Sequence, residues 1–193
     1  MMQCLTGRAA APSGRCHATI GGMAAQPRAS YVRFPSDYGD PSAASLRNWS
    51  EIEAKLGAAP NYWLASIGPD GRPHVRPVDG VWVDGTLCFG GSPRTRWVRN
   101  LRDNTNASIN LGSEEEAIIL EGVVEEISDP THPLARLSTD ASVRKYPQYY
   151  PDGKAPEEPA VPVWCLRPSR AYAWTLSNFP RSATKWEFGG REG

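Results

Sequence analysis

The chain has 193 residues, 40% of them hydrophobic, and its 21 lysines and arginines balance 21 aspartates and glutamates. That length fits one domain with extensions, and the apolar share suffices for a core. A balanced charge argues against a nucleic-acid or membrane-surface binder, and neither a membrane-length apolar run nor an apolar leader is present, so a cytoplasmic protein is expected.

Residues 1–40 are rich in Ala, Gly, Pro, Ser and Arg without apolar period and are expected to be a mobile arm, leaving 41–193 as the folded domain. In "LRNWSEIEAKLG" the residues Leu46, Trp49, Ile52 and Leu56 fall near helical spacing, with Gly57 as the stop. "YWLASIG" reads as a strand, Pro69-Asp70-Gly71 as a turn, and "PHVRPVDGVWV" as extended chain at an edge or bulge. Asp84-Gly85 is a tight hairpin signal before "TLCFGG". A helix rich in arginine follows, then strands "NASINL" and "EAIILEGVVEEI", the latter with a bulge expected at Gly122. "PLARLSTDASVRKY" reads as a helix, residues 147–162 as loop, and "VWCLRP" and "AYAWTL" as two final strands. Six or seven strands in sequential antiparallel order with two or three helices predict a mainly β fold, a small barrel with helical additions, with a β-sandwich as the alternative. The cysteines Cys4, Cys16, Cys88 and Cys165 make no CxxC pair, so neither a zinc site nor a disulfide framework is expected.

The segment "CFGGSPRTRWVRNLRD" gathers Arg94, Arg96, Arg99 and Arg102 in an otherwise neutral chain. Ser92-Pro93 is a helix-start signal, a capping hydroxyl before a proline suited to the first helical position. Trp97, Val98 and Leu101 then share one face, with Arg96, Arg99 and Arg102 on the other side. Arg94 falls in the first turn, where side chains lean toward the helix start. Free N–H groups, a hydroxyl from Ser92 or Thr95 and arginines would meet there, which suits a phosphate, and Gly90 and Gly91 would let a ligand approach the backbone. The competing reading is a solvated helix whose arginines pair with the acidic run Glu114 to Glu116.

The segments "WLASIGPDGRPHVRPVDGVWVDGTLCFGG", "SPRTRWVRNLRDNTNASINL" and "EGVVEEI", in that order and spacing, resemble the flavin-binding split-barrel superfamily, which includes pyridoxamine 5'-phosphate oxidase and the deazaflavin-dependent reductases. The resemblance implies an antiparallel split β-barrel that is homodimeric, with the cofactor at the subunit interface. It places Arg76 on the flavin phosphate, with Pro77 and Val78 beside it, Gly90 and Gly91 as backbone contacts, and Thr95 and Arg96 at the helix start. Where the oxidase pattern has lysines the chain has Trp97 and Val81, and Ala117 stands where a glutamine is expected. The function implied is a flavin-dependent oxidoreductase on a small molecule, with FMN as cofactor. The alternatives are a reductase using the deazaflavin coenzyme F-420 and a non-catalytic flavin or heme carrier on the same barrel. No protein nucleophile is required, because the flavin would carry the redox step. His74 reads as a strand-face residue with ligand or base as the lesser option, His132 as a helix starter, and Asp79 as a turn residue or a contact to a ring edge. The tail residues Arg181, Lys185 and Trp186 either close over a cofactor or pack as an ordinary C-terminal segment.

Overall fold

A computed structural model describes residues 26–35, 37–38, 45–111 and 113–189. The first helix, α1 (Trp49–Ala58), buries Trp49, Ile52 and Leu56, and the Asn48 side chain caps it by accepting the Ser50 N–H at 3.1 Å. It runs one residue past Gly57, where the sequence sets its stop. Strands β2 (Tyr62–Ile67) and β3 (Pro73–Val78) form a hairpin closed by the Gly68 N–H on Arg72 O at 2.9 Å, with Gly71 at φ +75°. The extended run breaks at Asp79, and β4 (Gly80–Val83) turns back to β5 (Thr86–Phe89) through Asp84 and Gly85, at φ 49° and 67°. Two consecutive left-handed residues are what a two-residue hairpin requires. After α2 (Arg96–Asp103) come β6 (Asn106–Leu111), β7 (Glu116–Ile127) and α3 (Pro133–Lys145).

The two strands expected at the C-terminal side are one, β8 (Val163–Thr175), running through Pro168 and Ser169. Proline is tolerated because it lies opposite Gly122, where the β7–β8 register already shifts and Ser169 is the extra residue. Gly122 is required there, since a Cβ would lie 2.1 Å from the Arg167 carbonyl oxygen. The tail adds β9 (Thr184–Glu187), and β1 (Arg28–Tyr31) pairs with it, so part of the expected arm is strand. The expectation for residues 1–25 lies outside the described residues.

The nine strands of the described residues belong to one antiparallel sheet: seven run in the order β1-β9-β8-β7-β6-β2-β3, and β4 joins off that path through β5, which pairs with β8. This is the barrel and not the sandwich. One edge of β8 pairs with β7 along its whole length; its other edge is shared between β5, at Trp164–Leu166, and β9, at Arg170–Ala173. The barrel splits at that point. Side chains of α1 and α2 fill the interior together with Leu64, Leu87, Ile109, Leu120 and Leu166. A second core lies between α3 and β4, β5 and β8, built from Val81, Cys88, Leu134, Ala135 and Cys165. β5 is therefore covered on both faces and buried at every position, which removes the alternation a one-sided strand would show. Among the described residues no helix is long and apolar enough to cross a membrane.

Candidate functional site

α2 is seated by its apolar stripe. Trp97, Val98 and Leu101 are buried, and the Trp97 ring packs 5.5 Å from Phe89 and 5.0 Å from Trp164, centroid to centroid. Asn100, also buried, donates to Ser66 Oγ at 3.1 Å, and that hydroxyl reaches the His74 carbonyl at 3.5 Å. This chain of bonds fixes the helix against β2 and β3.

The helix begins later than its sequence signal. Ser92 to Thr95 form a turn in which the Thr95 N–H bonds Ser92 O at 3.0 Å and Ser92 Oγ accepts the Arg94 N–H at 3.3 Å. The serine hydroxyl is spent on the turn, so Thr95 becomes the N-cap and Arg96 the first helical residue. Thr95 makes no side-chain capping bond; its Oγ1 donates back to Ser92 O at 2.8 Å. The first turn carries no acidic residue. The positive end of this helix is thus uncapped and flanked by Arg94 and Arg96, an arrangement that is unfavourable without an anion.

The β2–β3 register brings further positive charge to the same rim. Leu64 and Ser66 face the barrel interior, and their partners across the ladder are Arg76 and His74. β3 lies at the end of the strand order, so these inward-directed groups sit at the rim of the core, beside α2. Arg96 reaches toward the same hairpin, its Nη2 3.4 Å from where a side chain on Gly68 would begin. Burial first, then the charges of Arg96 and Arg76, hold the His74 pKa below its ordinary value. His74 Nδ1 is buried without a hydrogen-bond partner. Among the described residues Arg76, Arg94 and Arg96 form no ion pair, whereas Arg102, at the far end of α2, pairs with Glu126 at 2.7 Å. Glu116 of the acidic run is taken by Arg47 and Lys55 instead.

The two glycines before the turn differ. A Cβ on Gly90 would meet nothing within 4 Å, so the space beside it is open. A Cβ on Gly91 would lie 2.5 Å from Cζ2 of Trp97, so there the missing side chain is replaced by the indole. Pro77 is exposed opposite Trp63, while Val78 is buried in the main core beside Tyr62. Asp79 accepts from the Tyr149 hydroxyl at 2.9 Å, and His132 caps α3 by accepting the Leu134 N–H at Nδ1. In the tail, Trp186 is buried against Trp49, Lys185 bonds Glu187 at 3.1 Å and Arg181 is exposed, the packing alternative for that segment. Among the described residues no group of three His, Cys, Asp or Glu side chains is placed to hold a metal.

Sequence reasoning gave no weight to Lys145, whose ammonium turns into the protein toward Tyr62 and Gly80. A lysine in the last turn of a helix is so ordinary a dipole partner that its position carries no signal.

A family model described as pyridoxamine 5'-phosphate oxidase matches residues 49–175, from the start of α1 to the end of β8. Among solved structures the chain is similar to a conserved hypothetical protein of Mycobacterium tuberculosis, with TM-score 0.57 and 18% identity over 84% of this chain and 100% of the other. It is also similar to a heme-binding protein of Mycobacterium smegmatis (TM-score 0.50, 24% identity, 70% of this chain and 57% of that one). A heme storage protein of Vibrio cholerae superposes with TM-score 0.50 at 17% identity, over 62% of this chain and 88% of its own. No curated protein matches.

Proposed function

Because the chain belongs to the pyridoxamine 5'-phosphate oxidase family, we propose that it is a flavin-dependent oxidoreductase that binds FMN and acts on a small molecule. One observation carries this reading: Arg94 and Arg96 flank an uncapped helix start, Arg96 and Arg76 lie near an orphaned His74 nitrogen, and among the described residues none of the three has an ion pair. That donor set fits a phosphate dianion. It offers more than one guanidinium for bidentate contact, the N–H groups of the first turn of α2, and the Thr95 hydroxyl, whose lone pairs remain available. The open space beside Gly90 leaves room for the ligand at the backbone. FMN when bound would supply the redox chemistry. The chain's own work is to neutralise the phosphate with Arg76 and Arg96 and to anchor it against α2, whose position the Asn100–Ser66 bond holds.

A second copy of the chain is part of this proposal. The outer face of β2, β3 and β7 exposes Trp63, Ile67, Val75 and Val123, at 40 to 53% of their surface. Ile67 and Val123 line a shallow cavity of about 430 Å³ that also takes in Ala65, Pro73 and Ser108. A soluble chain gains by covering such a face. Sedimentation is expected to give twice the 21.1 kDa mass of one chain.

The deciding experiment loads the purified protein with FMN and, separately, with coenzyme F-420 or heme, removes free ligand, and identifies what is released on denaturation. FMN retained in proportion to the chain supports the reading. Retention of only the deazaflavin keeps the phosphate site and changes the hydride donor; retention of only heme, or of none, overturns it.

A further inference from the structure

A separate cavity of about 340 Å³ lies between the C-terminal end of α3, β4 and the end of α1. Its walls are Gly57, Ala58, Val81, Trp82 and Ala141, with Arg144 and Lys145 as its two cations. Lys145 does not extend into solvent. Its Nζ donates to Tyr62 Oη and to Gly80 O, each at 2.8 Å, and lies 4.7 Å from the Tyr62 ring centroid and 5.4 Å from that of Tyr146. The Tyr62 hydroxyl donates its own proton to Leu56 O, so it meets the lysine only as an acceptor.

Among the described residues Lys145 has no ion pair. The groups facing it are Asp79 from the β3–β4 junction, which is tied to Tyr149, the phenols of Tyr62 and Tyr146, and Arg144 of its own helix; Glu53 of α1 is engaged by Trp82 Nε1 at 3.0 Å. Burial lowers its pKa to about 8, with Asp79 opposing the shift.

In the neutral amine both N–H bonds are accounted for by Tyr62 Oη and Gly80 O. The remaining tetrahedral position is the lone pair, oriented by the two fixed acceptors. A desolvated lysine of this kind is the usual nucleophile toward carbonyl carbon. Arg144 adds a cation on the same cavity wall, which suits a substrate bearing a carboxylate.

We propose that Lys145 is a nucleophilic amine and that the α3–β4 cavity takes small anionic carbonyl compounds, 2-oxo acids or aldehyde acids, as a reversible imine. The Nζ lone pair attacks the carbonyl carbon and forms the C–N bond. Both bonds of the C=O group break in turn as Nζ gives up its two protons and the carbonyl oxygen takes up two and leaves as water; hydrolysis reverses the step without any change in oxidation state. The inference stands apart from the cofactor reading, since none of these residues belongs to the arginine rim.

The test uses the full chain with glyoxylate and sodium cyanoborohydride, which reduces an imine to a stable secondary amine, followed by peptide mapping. Lys145 is expected to be carboxymethylated about ten-fold faster than the exposed Lys154, with an inflection near pH 8. Arg144→Gln is expected to slow labelling of Lys145 by glyoxylate several-fold while leaving labelling by uncharged acetaldehyde unchanged. Lys145→Arg, which keeps a donor toward Tyr62 and Gly80, removes the label with the near-UV circular dichroism preserved. Labelling of Lys145 no faster than Lys154 in the unaltered chain, or a rate with no inflection near pH 8, overturns the proposal.

Discussion

Two groups of arginine and lysine show opposite uses of positive charge. Arg47, with only 8% of its side chain exposed, pairs with Glu116 and Glu51, and Lys55 pairs with Glu116 at 2.8 Å. The Arg47 N–H also bonds Thr184 Oγ1 at 2.9 Å, so one cluster fastens the lead-in to α1, the start of β7 and β9 together. Arg76, Arg94 and Arg96 have no carboxylate among the described residues, and two of them flank a helix end of their own sign. Charge that is satisfied within the chain is scaffold. Charge left without a carboxylate, on exposed side chains beside a positive helix end, is what the proposed phosphate site requires.

The largest effect is expected where the charge is satisfied. Arg47→Ala leaves the nearly buried Glu116 carboxylate with Lys55 alone, and breaking a buried pair from one side costs about 3–5 kcal/mol. The retained lysine sets the lower end of that range. Urea unfolding should show the loss, with cofactor affinity of the folded fraction unchanged. A loss under about 1 kcal/mol, the range of exposed ion pairs, would erase the contrast between the clusters.

At the rim the order is reversed. Arg76→Ala and Arg96→Ala should each cost about 1.5–3 kcal/mol of FMN binding, the range of a hydrogen bond to a charged group. The melting temperature of the free protein should hold or rise slightly, because removing Arg96 relieves repulsion at the start of α2. Fluorescence titration of the flavin measures the first and calorimetry the second. Unchanged affinity in both variants would return the rim to a solvated helix face.

The sequence was most readable where one local rule decides. The Asp84-Gly85 hairpin and the irregularity at Gly122, whose extra residue is Ser169 on the facing strand, follow from backbone sterics, and the Trp97, Val98 and Leu101 stripe from helical period. It was least readable where a distant partner decides. Ser92 looks like a cap until its hydroxyl is seen on the Arg94 N–H within a turn. The pairing of β1 with β9 leaves no apolar alternation in Arg28–Tyr31, so that strand read as arm. Nor does the acidic run announce that Glu116 faces Arg47, 69 residues earlier, and not the arginine helix. Around the candidate site, residue types were legible from spacing and resemblance; the orphaned His74 nitrogen was not, because its orphaning depends on which atoms surround it.

The two glycines of the turn sharpen the contrast within a single dipeptide. Gly91→Ala drives a Cβ to 2.5 Å from the buried Trp97 ring, and overpacking of that kind costs about 1–3 kcal/mol of stability. Gly90→Ala meets open space and should leave stability alone while weakening FMN binding. Equal melting temperatures for the two variants would show that Trp97 yields, and the structural role given to Gly91 would fail.

The smallest effect is the most specific to an arriving anion. In the free protein His74 has its pKa lowered from 6.5, by burial first and then by Arg96 and Arg76. A depressed histidine pKa means that the unfolded chain binds more protons between the folded value and 6.5. Its contribution to stability is therefore present above pH 6.5 and is lost as pH falls through the folded value. A bound phosphate dianion reverses the charge His74 faces and gives Nδ1 an acceptor, so the bound-state pKa rises and binding takes up part of a proton. FMN affinity should then increase as pH falls from neutrality toward the second phosphate pKa of about 6, by about two-fold after solvent screening. Calorimetry in two buffers of different ionisation enthalpy reads the proton directly. His74→Gln should abolish the uptake with little change in affinity at pH 8, whereas uptake that survives this substitution would assign the proton to the phosphate itself and leave His74 a bystander at the rim.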